Sequence, residues 1–145
     1  MSKDYDYNFY KKLLIESKER LKELACINKT TQIIKESSSI EESLQKICSI
    51  LPNAWQYPEY TAARIKFNNL TFATPNFEIT NWLQKADFQT IDNQYGIIEI
   101  VYLKQFPQAD EGPFLREERH LINNIAEILS GYINSIKAKA LFKNI

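Results

Sequence analysis

Histidine occurs once in this chain of 145 residues and cysteine twice, so the side chains that most often hold transition metals or act as soft nucleophiles are nearly missing. Cys26 and Cys48 show neither CxxC spacing nor a neighbouring histidine. That argues against a disulfide framework, a zinc site and a redox pair, and both read as reduced, small core residues. An excess of one charge is missing too. Eighteen basic residues balance eighteen acidic ones, so the molecule as a whole offers no attraction to phosphate backbones or anionic lipid. Nucleic acid and membrane are therefore not expected as partners. The most apolar run, Ile97 to Leu103, is interrupted by Glu99 and falls far short of the ~20 residues needed to cross a bilayer. The polar start Met1-Ser2-Lys3-Asp4 is not a signal peptide, and a cytoplasmic location is expected. Only three glycines and five prolines punctuate the chain, and no linker stands out. No set of side chains suited to running a reaction is visible, so the expectation is a non-catalytic domain without a cofactor.

What is present is pattern. The composition, 44% hydrophobic and 12% aromatic, suits one globular domain over residues 1–145. No Pro or Gly occurs from Asp4 to Lys35, and Leu14, Leu21, Leu24, Asn28 and Thr31 follow spacings of seven, three, four and three. This predicts one long helix, or two in line, over 1–36. Ile27, Ile33 and Ile34 widen the apolar stripe at the far end, so that end should pack on a core while Tyr7 to Leu24 project. Ser39 and Glu42 form a Ser-x-x-Glu capping box ahead of Leu44, Ile47, Cys48 and Leu51, predicting a short core-facing helix that Pro52 ends.

Thr61, Ala63, Ile65 and Phe67 alternate with Ala62, Arg64 and Lys66, the period of a half-buried strand. Asn68-Asn69 suits a tight turn into a returning strand from Leu70 to Thr74. A further strand is expected from Ile79 to Thr90, with Trp82, Gln84, Ala86 and Phe88 on one side, then a turn at Asp92 to Gly96. Ile97 to Leu103 should be the central strand. Pro113 is expected in the first turn of a last helix, residues 113–145, whose Ile122, Ile125, Leu129, Tyr132 and Ile136 repeat at three and four. The order predicts an α+β domain: a helix and antiparallel sheet over 37–112, with the long N- and C-terminal helices packed together on one face.

Two segments carry a resemblance. Ile50-Leu-Pro-Asn-Ala-Trp-Gln-Tyr-Pro-Glu59, and Asp110-Glu-Gly-Pro-Phe-Leu-Arg-Glu-Glu-Arg119 followed by Leu121-Ile122, are similar to signatures of a group of GAF-like sensor domains. These are found beside histidine kinases, PAS domains and phosphoenolpyruvate synthase-like enzymes. The resemblance spans roughly Arg20 to Ile133, including Ala63-Arg64-Ile65 and Phe72. It implies a sensory input domain of a two-component, histidine kinase type signalling protein, which passes its state along its flanking helices to a kinase or other output domain. No nucleotide-binding Gly motif or receiver-type acidic cluster occurs in the sequence itself.

Several constellations have two readings. Trp55, Tyr57, Arg64, Phe72, Trp82, Tyr95 and Tyr102 could contact a small planar or apolar ligand with Arg64 as its charged anchor, or the aromatics could fill a small core. His120 lacks the acidic follower of a phospho-accepting histidine and reads as a surface residue. Arg116, Glu117, Glu118 and Arg119 read as a solvated helix face, and Asp110 and Glu111 as helix caps. Finally, Leu14, Leu21, Leu24 and Asn28 with Ile125, Leu129, Tyr132 and Ile136 offer more apolar surface than one small sheet can bury, predicting a homodimer through the terminal helices. The alternative is a protein-interaction scaffold with no small-molecule ligand.

Overall fold

A computed structural model describes residues 2–143. Helix α1 runs unbroken over Ser2–Glu36, as expected of a segment without Pro or Gly. Helix α2 occupies Ile40–Ile50. Ser39 is its N-cap and its Oγ accepts from Glu42 N at 3.0 Å. The return half of the capping box is displaced by one residue, because the Glu42 carboxylate accepts from Ser38 N (2.7 Å) rather than from the cap residue. The Ser38 amide and Lys46 together hold Glu42 down at about 2. Pro52 ends α2 by turning it into a 3₁₀ helix, Leu51–Ala54, and a second 3₁₀ turn spans Pro58–Tyr60.

Four antiparallel strands follow: β1 Thr61–Phe67, β2 Leu70–Ala73, β3 Leu83–Gln89 and β4 Tyr95–Tyr102. They lie in the order β2-β1-β4-β3. Asn68, at φ 56°, makes the tight turn that pairs Phe67 with Leu70. The most β-branched stretch is indeed central, since β4 pairs with both β1 and β3. Strand β3 begins four residues later than the pattern predicts. Thr80 Oγ1 donates to Tyr102 O and accepts from Trp82 N, which turns the chain into the ladder and keeps Ile79 outside it.

The pleat separates the sheet into two unlike faces. Ala63, Ile65, Phe67, Ala86, Phe88, Ile98, Ile100 and Tyr102 point inward and are buried. On the opposite face one rung carries Arg64, Glu99 and Lys85 side by side. Helices α2 and α3 (Arg116–Lys143) cover the inner face with Leu44, Ile47, Leu121, Ile122 and Ile133 among others. Helix α1 forms a third layer, resting on α2, α3 and the first 3₁₀ turn. It runs parallel to α3: Asn124 donates to Glu23 at 3.2 Å, and further along Ile34 shares a groove with Tyr132 and Ile136. The two terminal helices are thus packed together on one face of an antiparallel sheet.

The last helix starts later than the sequence suggests. Pro113 is buried in a tight turn closed by two bonds between Glu111 and Phe114 (2.8 and 2.9 Å), with Gly112 at φ +53°. Its ring serves that turn rather than the helix. The start of α3 is capped by Asp110, whose Oδ2 accepts from Arg116 N, and by Glu118, whose Oε1 accepts from Leu115 N. No described helix is long and apolar enough to cross a membrane.

Candidate functional site

The two segments singled out in the sequence meet. After the first 3₁₀ turn the chain extends at Trp55, which brings the Gln56 amide against the first turn of α3. Glu118 Oε2 accepts from Gln56 N (2.8 Å) and from Tyr102 Oη (3.0 Å), while Oε1 accepts from Leu115 N (2.8 Å) and Gln56 Nε2 (3.2 Å). Gln56 Nε2 also donates to Pro113 O. One carboxylate, 1% exposed, therefore ties the loop before β1, the end of β4 and the start of α3. Burial pushes its pKa above the usual carboxylate range, and the donors lean against that rise without cancelling it. This corrects the expectation that Arg116 to Arg119 form a solvated face. Glu118 lies three, four and seven residues before Leu121, Ile122 and Ile125, on the buried side of α3. Arg119 in turn pairs with Glu111, at 2.6 Å, rather than only along its own helix.

Around this junction the aromatics stack. Tyr102 lies on Phe114 with ring centroids 4.6 Å apart, and Tyr57 on Phe106 at 3.7 Å. Trp55 is fully buried, with Nε1 donating to Gln84 Oε1 at 3.0 Å. The space expected between Trp55 and Tyr102 is filled by these side chains. Phe72 and Trp82 are partly buried against the same core. Arg64 and Tyr95 lie on the other face of the sheet. Arg64 Nε is 2.8 Å from Glu99 with its guanidinium over Phe77, and exposed Tyr95 donates to Asp87. The seven residues considered for a ligand therefore do not line one cavity, and Arg64 cannot anchor a molecule beside Trp55.

A hollow of about 200 Å³ lies elsewhere, between α1 and the first 3₁₀ turn. It is lined by the apolar Ala25, Cys26, Ile50 and Ala54 and by Lys22, Lys29 and Asn53. Cys26, like Cys48, is buried and unbonded, and burial raises both thiols to about 11, far from the reactive thiolate range. His120 is exposed on α3 beside Arg20, Glu23 and Glu117. Among the described residues, no group of three or more His, Cys, Asp or Glu is placed to hold a metal ion.

The expected dimer seam divides. Ile125 and Leu129 are wholly buried against the sheet of their own chain, and Tyr132 and Ile136 are partly buried, Tyr132 sharing a 2.7 Å hydrogen bond with Ser43. The stripe on α3 belongs to the monomer core and is not a seam along its whole length. The stripe on α1 is free. Leu14, Leu21 and Leu24 are 71%, 67% and 51% exposed, and Asn28 is exposed with them. They occupy the face of α1 opposite to buried Glu19, Cys26 and Thr30. Extended in both directions, this face is a heptad: Tyr7, Leu14, Leu21 and Asn28 at one core position, Tyr10, Ser17, Leu24 and Thr31 at the other. From Asp6 to Lys18 every side chain except Glu16 is exposed, and between Asn8 and Glu16 this half of α1 shares only an open hollow with Asp110, Leu115, Arg116 and Glu117 of the domain.

No protein-family model matches the chain, and no curated protein matches it.

Proposed function

We propose that this protein is a non-catalytic regulatory input module of a cytoplasmic signalling protein, self-associating through α1. The observation that carries this reading is the exposed heptad face of α1, apolar at Tyr7, Tyr10, Leu14, Leu21 and Leu24 while the opposite face of the same helix is packed on the domain. A helix with two opposed packing faces links the domain to a partner. The resemblance of two segments to GAF-like sensor domains supports the signalling role, as does their convergence on Glu118, where the sheet, the loop before it and α3 are held together. On this reading the module passes changes in its core to an output domain by altering how its terminal helices pack. A small ligand would enter the hollow beside Cys26, where it touches α1 directly.

Sedimentation of the whole chain tests the association. The wild type should run as a dimer and Leu21→Asp as a folded monomer with a lower Tm, its sheet and core intact because Leu21 is exposed and lies outside the monomer core; a monomeric wild type would sink the reading. A second reading, an interaction scaffold without a ligand, is favoured by the filling of the space between Trp55 and Tyr102. Thermal-shift screening against nucleotides, metabolites and acyl compounds separates the two. Stabilisation that disappears when Asn53→Trp, on the side of the hollow away from α1, fills it supports sensing, and silence across the panel supports the scaffold.

A further inference from the structure

We infer that α1 pairs with α1 of a second copy of this chain in parallel and in register, with Asn28 facing Asn28 of the partner subunit. The inference rests on the self-association proposed above and adds its geometry. A stripe in which Leu14, Leu21 and Leu24 recur at heptad core positions is complementary to itself. Its orientation follows from comparing the two ways of overlaying it.

In a parallel pair each core position meets its own kind. Leucines meet leucines at 14, 21 and 24, Ser17 meets a serine, and Asn28 meets an asparagine whose amide can satisfy its own. A buried asparagine pair at this position specifies parallel, two-stranded register. Fully overlapped antiparallel helices instead place Asn28 against Tyr10 and Ser17 against Leu21, leaving polar groups against apolar ones.

The flanking positions agree. In the parallel pair the residue before one core position faces the residue five further along on the partner helix. Asp6 then meets Lys11, while Arg20 meets Ala25 and Leu13 meets Lys18, with no like charges opposed. The antiparallel pair brings Lys18 of both chains together at its midpoint. The buried residues Glu19, Cys26 and Thr30 put the domain on the far side of α1, with the first turns of α3 flanking the seam beside Leu24.

Cysteine cross-linking in the full chain tests orientation. Cys26 and Cys48 are buried with raised thiol pKa values and do not compete. Under mild oxidation Leu21→Cys should give a disulfide-linked dimer as the main species, and a mixture of Leu14→Cys with Leu24→Cys chains should give no mixed dimer. The reverse pattern, in a wild type that sediments as a dimer, overturns the parallel register and leaves self-association standing. A wild type that sediments as a monomer removes both. Asn28→Ile supplies a second readout. It should raise Tm and populate species larger than a dimer, whereas an unchanged Tm and mass would place Asn28 outside the seam and overturn the register.

Discussion

Glu118 shows how much one side chain can carry. A carboxylate that accepts four hydrogen bonds, at 1% exposure, leaves several donors without partners when it is removed. Glu118→Ala should cost on the order of 3 kcal/mol in chemical denaturation, against a near-neutral effect at its exposed neighbour Arg116. Its titration has a definite sign. The folded pKa is raised, so between about pH 4.3, the ordinary glutamate value, and the folded value the native state binds more protons than the unfolded chain. Stability from this group is fully present below that window and is lost as pH rises through it. The stability difference between wild type and Glu118→Gln, measured by denaturation across pH 4 to 7, should therefore favour the wild type most at the acid end. A flat difference would contradict the assignment. Gly96 is a second sensitive position. A Cβ built there falls 2.1 Å from the Phe88 ring, which stacks with Phe67 across the strand. Gly96→Ala should destabilise by about 1–3 kcal/mol through this overlap, with circular dichroism melts as the check.

At the scale of elements, what the sequence made legible followed from local chemistry. The absence of Pro and Gly before Ser37 predicted α1, Ser39 with Glu42 predicted the start of α2, and Asn68 predicted a turn that needs positive φ. Runs of β-branched residues predicted the central strand. What stayed hidden depends on long-range partners. Thr80 fixes the entry to β3 through Tyr102, twenty-two residues away, and no periodicity announces it. Pro113 fits a helix start equally well until Glu111 and Phe114 are seen to close a turn around it. Two features carry a partial signal in the sequence. Strand parity sets Arg64 on the face opposite to Ala63 and Ile65, and the pairing of Ala63 with Ile100 then sets Tyr102 on theirs. The spacing of Glu118 from Leu121, Ile122 and Ile125 likewise sets it on the buried side, a positional signal that its charge masks.

For the whole molecule, α1 and α3 run parallel, so the start of α1 and the last turns of α3 lie at opposite ends of the helix pair. The sheet and α2 are attached along the side. The first half of α1 makes few contacts with its own domain, and helices in isolation are marginal in water. Its amides between Tyr7 and Ser17 should therefore exchange slowly in a wild-type dimer and rapidly in Leu21→Asp, while those of β4 stay protected in both. Hydrogen exchange read by mass spectrometry checks this, and equal protection in the two would mean that the domain alone orders the segment.

The outer face of α1 also carries a repeat that a straight helix does not match. Its outer stripe repeats every 3.5 residues, and a straight α-helix drifts by about 20° per heptad from that repeat, roughly 70° between Tyr7 and Thr31. Zipping that stripe against a second copy winds the helix left-handed, while Glu19, Cys26 and Thr30 are clamped to the domain on the other side. The helix is then a torsion bar. In such a pair, a shift in the clamp would be felt as a change of twist at the free end, and a twist imposed there would press on the clamp.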